Sequence, residues 1–388
     1  MPDTLIDHHL SETMKADLAK CCLPRHQAWS LPPQFYTDEG LAKHEYNRIF
    51  RRQWLCLGRA DQLPDEGDYI CLDFAGQALI LIRDKGGDIR AFANTCRHRG
   101  ARLLNGSGRV AGIRCPFHSW AYKLDGSLAG APDMDKASGF CKADFGLISY
   151  HVSTYLGFVF VCLAEDAPDF ALAMVDFADI HAPWPMETLV SKRSRDFKVD
   201  CNWKTFIEVF NEYYHLPFVH PDSIDDVYHK PDAGNDVGGY FATQFGSTEG
   251  TGGLLQTTQQ NPLPLMPGLT GREASGVRYT WLFPNLTFAI GVDAMWIYEA
   301  YPLAVDRCLV RQTACFPPET IAASEFENKV QAYYHRLDAA LDEDIPALVN
   351  QQAGLAHPDA RQGRFQPELE PNVASFASWY ADQMLRSN

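Results

Sequence analysis

Two short stretches near the middle of the first half of the chain pair a cysteine with a histidine. They read CRHRG at residues 96–100 and CPFHSW at residues 115–120, and sixteen residues separate His98 from Cys115. The spacing is Cys-x-His in the first stretch and Cys-x₂-His in the second. If each stretch lies at the tip of a β-hairpin, the two thiols and two imidazoles can converge on one metal centre.

The mixed pairing favours an iron–sulfur cluster over a zinc site. A Cys₂His₂ zinc site uses the same ligands, but it usually pairs like with like, as Cys-x₂₋₄-Cys and His-x₃₋₅-His, and often adds a helix. Two thiolates on one iron and two imidazoles on the other define a Rieske [2Fe–2S] cluster, in which the imidazoles raise the reduction potential. We therefore predict this cluster, with four unrelated core residues as the remaining alternative. Its ligands are Cys96, His98, Cys115 and His118.

The sequence around both stretches has the composition of short strands. β-branched and aromatic runs bounded by turn residues are typical of strands. They occur at 69–72, 78–82, 89–92 and 157–161. We predict a small all-β domain over residues 45–165 and assign residues 1–44 and 166–388 to a second, catalytic domain.

The second domain has an α+β order. Helical patterns are predicted at 37–53 and 203–215, and a Gly- and Pro-rich stretch at 231–276 is long enough to be a functional loop. A final long helix is predicted to begin at the capping box Ser324-x-x-Glu327. Helix, sheet and long helix in this order indicate an α+β fold. The strands between them are predicted at 277–283, 286–290, 295–301 and 308–316.

A second group of potential ligands follows the predicted helix at 203–215. Glu212 and His215 are three residues apart and would share one helical face. Pro217 would interrupt the helix and let His220 return toward the same point. Two histidines and one carboxylate form the facial triad of non-haem Fe(II) oxygenases, which leaves positions open for O₂ and substrate.

The carboxylate of this triad has to come from elsewhere in the chain. We predict Asp344, at the end of the long helix, with Asp342 and Glu343 as alternatives. A His-x₄-His spacing alone is a weak signal, since most histidine pairs bind no metal. A redox cluster upstream strengthens it, because such a cluster needs a centre that accepts its electrons.

These motifs resemble those of the alpha subunits of Rieske non-haem iron oxygenases. That family includes aromatic-ring dioxygenases and choline and carnitine monooxygenases. The matching segments are 96–120, the Asn-Trp-Lys at 202–204 and the EYYHLPFVH at 212–220, and the resemblance covers nearly the whole chain. The segment 344–355, with its Asp, Gln, Gly and Leu, looks like the family's closing motif, which favours Asp344 over its neighbours.

The resemblance implies a helix-grip catalytic domain, in which a curved antiparallel sheet surrounds a long helix. It also implies a homotrimer in which the Rieske cluster of one subunit faces the mononuclear iron of the next. A carboxylate bridges the two sites in this family, and by position it is Glu212 here. The cofactors implied are the [2Fe–2S] cluster and Fe(II), with O₂ as co-substrate. Electrons would come from NAD(P)H through a flavin and iron–sulfur reductase.

The substrate prediction rests on a departure from the ring-dioxygenase pattern. Those enzymes usually carry aspartate at the bridge and asparagine seven residues before the first histidine, where this chain has Glu212 and Glu208. Glutamate at both positions is similar to the branch that oxidises N-methyl groups of amines. Aromatic side chains that would stack on a methylammonium group, and so form the pocket with Glu208, are Phe210, Tyr213, Phe283, Trp296 and Tyr298.

We therefore predict a monooxygenase that hydroxylates or demethylates a small quaternary ammonium compound. Hydroxylation of an aromatic acid or ring, by monooxygenation or dioxygenation, is the alternative within the class. A non-catalytic Rieske protein for electron transfer or ligand sensing is the alternative outside it.

Composition excludes some partners. The 388 residues carry a net charge of −15 at pH 7, which disfavours nucleic acid and anionic membranes. The chain has no run of 18 apolar residues and no apolar stretch near the N-terminus typical of a signal peptide. Eleven scattered cysteines suit reduced thiols and metal ligands. We expect a cytoplasmic protein.

Overall fold

The computed structural model describes residues 10–224 and 231–386. The chain forms two compact units, one from Arg51–Pro168 and the other from the segments on either side of it. Among the described residues, no helix combines the length and the apolar character needed to cross a membrane.

The unit Arg51–Pro168 is built from β-strands. Its ten strands are β1 Leu55–Arg59, β2 Asp68–Phe74, β3 Gln77–Arg83, β4 Ile89–Ala93, β5 Ser107–Arg109, β6 Ile113–Arg114, β7 Ala121–Tyr122, β8 Leu128–Gly130, β9 Ser149–Tyr155 and β10 Phe158–Cys162. Seven of them pair antiparallel in the order β1-β10-β9-β4-β3-β2-β5, and β6-β7-β8 form a smaller sheet. The four strands predicted for this region are all present.

The apolar core of this unit includes the two cysteines of the predicted cluster. Cys96 and Cys115 are 3% and 2% exposed. They belong to a buried group that also contains Ile80, Phe92 and Trp120. The strands therefore fix the backbone on which both cysteine–histidine loops are mounted.

The second unit contains one six-stranded antiparallel sheet. Its strands are β11 Val190–Val199, β12 Phe241–Ser247, β13 Gly276–Leu282, β14 Leu286–Ile290, β15 Met295–Ala304 and β16 Arg307–Phe316. The order is β11-β16-β15-β14-β13-β12. The last four strands were predicted from the sequence, whereas β11 and β12 were not.

The prediction of one long loop over 231–276 is wrong, because β12 lies inside it. Six of its seven residues are buried. A strand that is covered on both faces has no reason to alternate polar and apolar residues, so its sequence lacks the period of a strand. The neighbouring glycines, Gly238 and Gly239, add to its loop-like appearance.

Ten α-helices complete the described part of this unit, and a short π-helical turn, Tyr46–Phe50, follows the third. They are α1 Glu12–Cys21, α2 Gln34–Thr37, α3 Glu39–Glu45, α4 Phe170–Ala173, α5 Phe177–His181, α6 Trp203–Phe210, α7 Leu216–Val219, α8 Pro318–Ile321, α9 Phe326–Leu355 and α10 Pro371–Leu385. The single helix predicted at 37–53 is thus divided. The N-cap of α3 is Asp38, whose carboxylate accepts from the N–H of Leu41 at 2.8 Å.

The long helix α9 differs from its prediction at both ends. It begins at Phe326 without a side-chain cap, so the predicted capping box at Ser324 is absent. It also continues through Pro346 to Leu355, which places Asp344 inside the helix rather than at its end. A proline removes one hydrogen bond of the helix, yet burial of Leu348 and Gln352 beyond it keeps the last turns in place.

The sheet holds α9 by contacts along its first half. Phe316 of β16 packs on Phe326 and Tyr333, with ring centroids 5.3 and 6.0 Å apart. Arg193 of β11 donates to both oxygens of Asp338 at 2.7 and 2.8 Å. A long helix held by a curved antiparallel sheet is the predicted helix-grip arrangement, so the α+β fold class is confirmed.

The Asn-Trp-Lys segment at the start of α6 anchors that helix. Asn202 caps it by accepting from the N–H of Lys204 at 3.0 Å. Its own backbone N–H donates to Gln352 of α9 at 2.9 Å. The Lys204 ammonium is buried and lies 2.6 Å from Oε2 of Glu45. The other carboxylate oxygen of Glu45, Oε1, accepts from the indole N–H of Trp203 at 2.8 Å. The start of α6 is thereby joined to both α3 and α9.

We expect Glu45→Gln to destabilise the protein by about 3–5 kcal/mol, because it leaves the buried Lys204 ammonium without its carboxylate. Urea unfolding monitored by circular dichroism measures the change. The matched control is Glu325→Gln, which removes the partner of Lys329 in an exposed pair 2.5 Å apart and should cost less than about 1 kcal/mol. Equal effects of the two variants would contradict the anchoring role of Glu45.

Candidate metal centres

The two cysteine–histidine loops adopt the same turn. In the first, the N–H of Gly100 donates to the carbonyl of Cys96 at 2.9 Å, and in the second the N–H of Ser119 donates to that of Cys115 at 3.1 Å. Both donors have positive φ, 75° at Gly100 and 58° at Ser119. Glycine adopts this conformation without strain, whereas serine pays a steric cost. The repeated turn presents the ligands of both loops in the same way.

Like ligands are paired in space, although unlike ones are paired in sequence. The imidazole rings of His98 and His118 are 4.6 Å apart between centroids, and the thiol of Cys96 is within hydrogen-bond reach of Cys115. Nδ1 of His98 is buried and has no hydrogen-bond partner in the described part of the chain. A thiol pair beside an imidazole pair, with a buried nitrogen left unsatisfied, fits the donor set of a Rieske cluster.

The backbone around Cys115 stabilises its thiolate form. Burial opposes this, but the backbone N–H groups of Phe117 and His118 donate to the sulfur and lower the pKa of the thiol below its ordinary value. The thiolate is the form that binds a metal. The turn that shapes the loop therefore also prepares its cysteine as a ligand.

Tyr122 is a contact of the cluster site that the sequence interpretation missed. Its hydroxyl lies 3.3 Å from the sulfur of Cys96 and accepts from the N–H of Arg97 at 3.1 Å. The Trp120 ring stacks on that of His98 at 4.9 Å. Hydrogen bonds to the sulfurs are one determinant of the potential of an iron–sulfur cluster. The sequence signal for this contact was the position of Tyr122, two residues after Trp120, the last residue of the CPFHSW stretch.

The second group of ligands is not arranged along one helix as predicted. Helix α6 ends at Phe210, so Glu212 and His215 lie in the turn that follows. There the Glu212 carboxylate accepts from the backbone N–H groups of Tyr214 and His215 and lies 2.5 Å from Nδ1 of His215. Glu212 thus both folds the turn and orients the imidazole.

His220 is oriented by a carboxylate from α9. It follows the short helix α7, whose first turn contains Pro217, so the proline starts a helix rather than interrupting one. Nδ1 of His220 lies 2.6 Å from Oε2 of Glu343, an oxygen that also accepts from the hydroxyl of Ser223 at 2.6 Å. The carboxylate of Glu343 therefore contacts Nδ1, the outer nitrogen of the ring, and is not positioned as a metal ligand itself.

Asp344 meets the remaining nitrogens of both histidines. Its Oδ1 is 2.9 Å from Nε2 of His220 and 3.6 Å from Nε2 of His215. The donor atoms of the three residues lie within 4.8 Å of one another. Oδ1 is buried yet accepts no hydrogen bond from the described residues. Two imidazoles and one carboxylate around such an atom fit a facial triad for Fe(II). Asp342, by contrast, is exposed.

A cavity opens beside these three side chains, and three of the predicted pocket residues line it. Phe210 lies 4.5 Å from Tyr298 and 5.3 Å from Tyr279 between ring centroids, and Tyr213 lies 5.7 Å from Tyr279. Other lining residues, which the sequence interpretation did not select, are Phe206, Val209, Leu216, Ile224, Tyr279, Arg336, Ala340 and Leu341.

The other three predicted pocket residues lie outside this lining. Phe283 packs on Phe376, 5.4 Å away between centroids. The Trp296 ring faces the guanidinium of Arg336 at 5.1 Å, behind the cavity wall. The strand position of Trp296 was predicted correctly, whereas Phe283 lies in the turn after β13, which ends at Leu282. Strand period alone does not tell which face of a strand meets the cavity.

Glu208 also has a role other than the one predicted. Its carboxylate accepts from the hydroxyl of Tyr36 at 2.6 Å. Burial raises the pKa of Glu208 to about 7, although Tyr36 and Lys204 act in the opposite direction. Lys204, four residues before Glu208, bonds instead to Glu45, 2.6 Å away. Of the two predicted acidic residues, Glu212 alone lines the cavity.

A donor set for a Rieske cluster in a β unit, and a two-histidine, one-carboxylate site in a helix-grip unit, define the class of Rieske non-haem iron oxygenases. The chain matches the family of ring hydroxylating alpha subunits (catalytic domain) over residues 186–386. It matches the Rieske [2Fe–2S] domain family over residues 53–155. The protein belongs to the ring-hydroxylating oxygenase alpha-subunit family and is an oxidoreductase.

Several individual relatives are oxygenase subunits of carnitine or glycine betaine monooxygenases. The chain is 28% identical to the carnitine monooxygenase oxygenase subunit of Acinetobacter pittii, over 88% of this chain and 90% of the relative. It is 25% identical to the glycine betaine monooxygenase oxygenase subunit of Pseudomonas aeruginosa, over 94% and 91%. The solved structure of the quaternary ammonium Rieske monooxygenase CntA with an inhibitor superposes with a TM-score of 0.80 at 25% identity, covering 95% and 98%. The predicted family, enzyme class and cofactors are confirmed.

Metal analysis of variants tests the assignment of ligands. We expect the purified protein to contain about three irons per chain, two in the cluster and one mononuclear. Cys115→Ser should abolish the Rieske electron paramagnetic resonance signal. His215→Ala should keep that signal and lose one iron. A colourless protein loaded with zinc would contradict both assignments.

The carboxylates of α9 are expected to differ in a graded way. Asp344→Ala should lose the mononuclear iron, and Asp342→Ala should retain it, because Asp342 faces solvent. Glu343→Ala should weaken iron binding by about 10–100-fold, since it removes the partner that orients His220. Iron titration of the apoprotein, followed by the Rieske spectrum as a folding control, measures all three. Loss of iron in Asp342→Ala would show that the register is wrong.

Proposed function

We propose that this protein is the oxygenase component of a monooxygenase that hydroxylates an N-methyl group of a small quaternary ammonium compound. The observation that carries the proposal is the aromatic wall beside His215, His220 and Asp344. The names of the relatives support it, since they act on carnitine and on glycine betaine. The Rieske domain, predicted at 45–165, would provide the electron-transfer function.

The aromatic wall suits a group that is cationic but has no hydrogen to donate. A quaternary ammonium cannot form N–H hydrogen bonds, so a protein recognises it through the faces of aromatic rings, at about 0.5–2 kcal/mol each. Phe210 is in contact with both Tyr279 and Tyr298, and Tyr213 extends the same wall. The carboxylate of Glu212 adds negative charge at the edge of the cavity.

The reaction balances with one molecule of O₂. The methyl group of R₃N⁺–CH₃, with O₂, two electrons and two protons, becomes R₃N⁺–CH₂OH, and one molecule of water is formed. The carbinolamine then breaks its C–N bond, the electron pair stays on nitrogen, and formaldehyde and a proton are released. The mononuclear iron, when bound, supplies O₂ activation, and the electrons come from NAD(P)H through a separate flavin and iron–sulfur reductase.

The residues around the iron site have distinct parts in this scheme. His215, His220 and Asp344 would hold the metal and leave open positions. Glu212 and Glu343 each lie within 2.6 Å of an outer ring nitrogen and direct the inner nitrogens toward Asp344. Leu341 and the aromatic side chains limit the water that reaches this point. The chain thus contributes orientation and a largely apolar cavity.

Glu212 is proposed to bridge the iron site to the Rieske cluster of a neighbouring subunit in a homotrimer. The segment around it exposes aromatic side chains that a monomer has no reason to keep in solvent. Tyr214 is 50% exposed and Phe218 is 76% exposed. On the Rieske loop, Phe117 is 58% exposed beside the partly exposed His118. Such residues are typical of interfaces.

We expect Glu212→Gln to retain both metals and to slow electron passage between them, because the neutral amide no longer accepts a proton from an imidazole on either side. The measurement is stopped-flow reoxidation of the reduced cluster after mixing with substrate and O₂. Asp342→Asn, which neutralises an exposed carboxylate on α9, is the control. Reoxidation of Glu212→Gln at the wild-type rate would remove Glu212 from the path.

Oxygen uptake across a substrate panel tests the reaction class. With a surrogate reductase and NADH, methylated ammonium compounds should stimulate O₂ consumption and release formaldehyde in an equal amount. Benzoate-like acids are the comparison set for the alternative of ring hydroxylation. Stimulation by aromatic acids alone would overturn the proposed substrate class while leaving the oxygenase assignment in place.

A further inference from the structure

The cavity beside the iron site also has a cationic wall residue, Arg336. Among the described residues that line the cavity, Arg336 is the one whose side chain carries a permanent positive charge. It is only 3% exposed. Neither the facial triad nor recognition of a methylammonium group uses it, and a cation near the binding site opposes a substrate whose charge is only positive.

Arg336 is held in a way that suits recognition of an anion. Its guanidinium lies over the ring of Trp296, 5.1 Å from the centroid. Stacking occupies the face of the guanidinium, whereas its N–H donors lie along the edge and match the two oxygens of a carboxylate. Trp296, which was predicted to contact substrate, would thereby act through Arg336.

Arg336 and Asp344 both line the cavity from α9. They are eight positions apart on this helix, which corresponds to a rise of about 12 Å. Tyr298 lies close to both. The pKa of Tyr298 is raised to about 12, mainly by burial. Among the smaller influences on this pKa, the guanidinium of Arg336 lowers it and the carboxylate of Asp344 raises it. The cavity is therefore lined by a cation and a carboxylate, with aromatic rings between the same walls.

We propose that Arg336 binds a carboxylate of the substrate and selects zwitterionic betaines over simple cations. This inference rests on the proposed function. The substrate carboxylate would lie at Arg336, its ammonium group against Phe210 and Tyr298, and an N-methyl carbon toward His215, His220 and Asp344. A compound with a quaternary ammonium and a carboxylate separated by a few carbons spans this arrangement. Choline-like alcohols and methylamines lack the group that Arg336 recognises.

Matched pairs of compounds test this proposal. Each pair consists of a trimethylammonium carboxylic acid and the alcohol with the same carbon chain, such as glycine betaine with choline and 4-(trimethylammonio)butanoate with 4-(trimethylammonio)butanol. Binding to the iron-loaded protein is measured by calorimetry, and oxygen uptake is measured in parallel. We expect the wild-type protein to bind at least one acid more than about tenfold tighter than its alcohol.

The variants are Arg336→Gln and Arg336→Lys, with the exposed Arg307→Gln as the control. Arg336→Gln should abolish the preference for the acid and leave affinity for the alcohol unchanged or higher. Arg336→Lys should restore part of the preference, because it restores the charge without the planar donors. Arg307→Gln should behave as the wild-type protein does. The Rieske spectrum and circular dichroism verify that each variant is folded.

The outcomes separate this inference from the proposed function. If acids and alcohols stimulate oxygen uptake equally in the wild-type protein and in Arg336→Gln, the role of Arg336 is overturned while N-methyl oxidation stands. If no methylated ammonium compound stimulates uptake, the proposed function fails and this inference fails with it. An acid preference that disappears in Arg336→Gln but persists in Arg307→Gln supports the inference.

Discussion

The geometry of the candidate iron site depends on the orientation of two imidazole rings, those of His215 and His220. Each ring places its Nδ1 against a carboxylate, which leaves Nε2 to face Asp344. For His215 that carboxylate is Glu212, three residues away, so a local turn is sufficient. For His220 it is Glu343, and the two residues are 123 positions apart. The inner nitrogens can converge only when α9 is docked against the turn that carries both histidines.

Much of the unit serves to dock α9. The sheet grips its first half through Phe316 and the ion pair of Arg193 with Asp338. Near its end, Gln352 donates to the carbonyl of Tyr36 at 3.1 Å and accepts from the N–H of Asn202. One helix then supplies Arg336, Glu343 and Asp344, which are a cavity cation, an orienting carboxylate and a candidate ligand. A shift of α9 along its axis would displace all three together, so metal binding and substrate selection are mechanically linked.

The Rieske site is built on a different principle. All four candidate ligands lie within residues 96–118, and two similar turns present them from a sheet whose core contains both cysteines. The site therefore depends mainly on residues that are close in the sequence, together with the pairing of the two loops. This explains why its candidate ligands could be named from short spacings, whereas the carboxylate of the iron site had to be chosen among three neighbouring residues with the help of the family resemblance. Tyr122 is likewise only four residues from His118 in the sequence and is not a distant addition.

The sequence by itself determined the class of the protein and four strands in each unit, and it indicated the four candidate cluster ligands and the two candidate iron-binding histidines, because these depend on short spacings and local periods. It also favoured Asp344, through the motif at the end of the family resemblance. Only the tertiary structure decided that Glu343 orients His220, that Glu208 turns to Tyr36, and that Phe283 and Trp296 lie away from the cavity. Each of these depends on which face of a helix or strand meets which neighbour. That choice is set by packing between segments that are distant in the sequence, and no local pattern of amino acids encodes it.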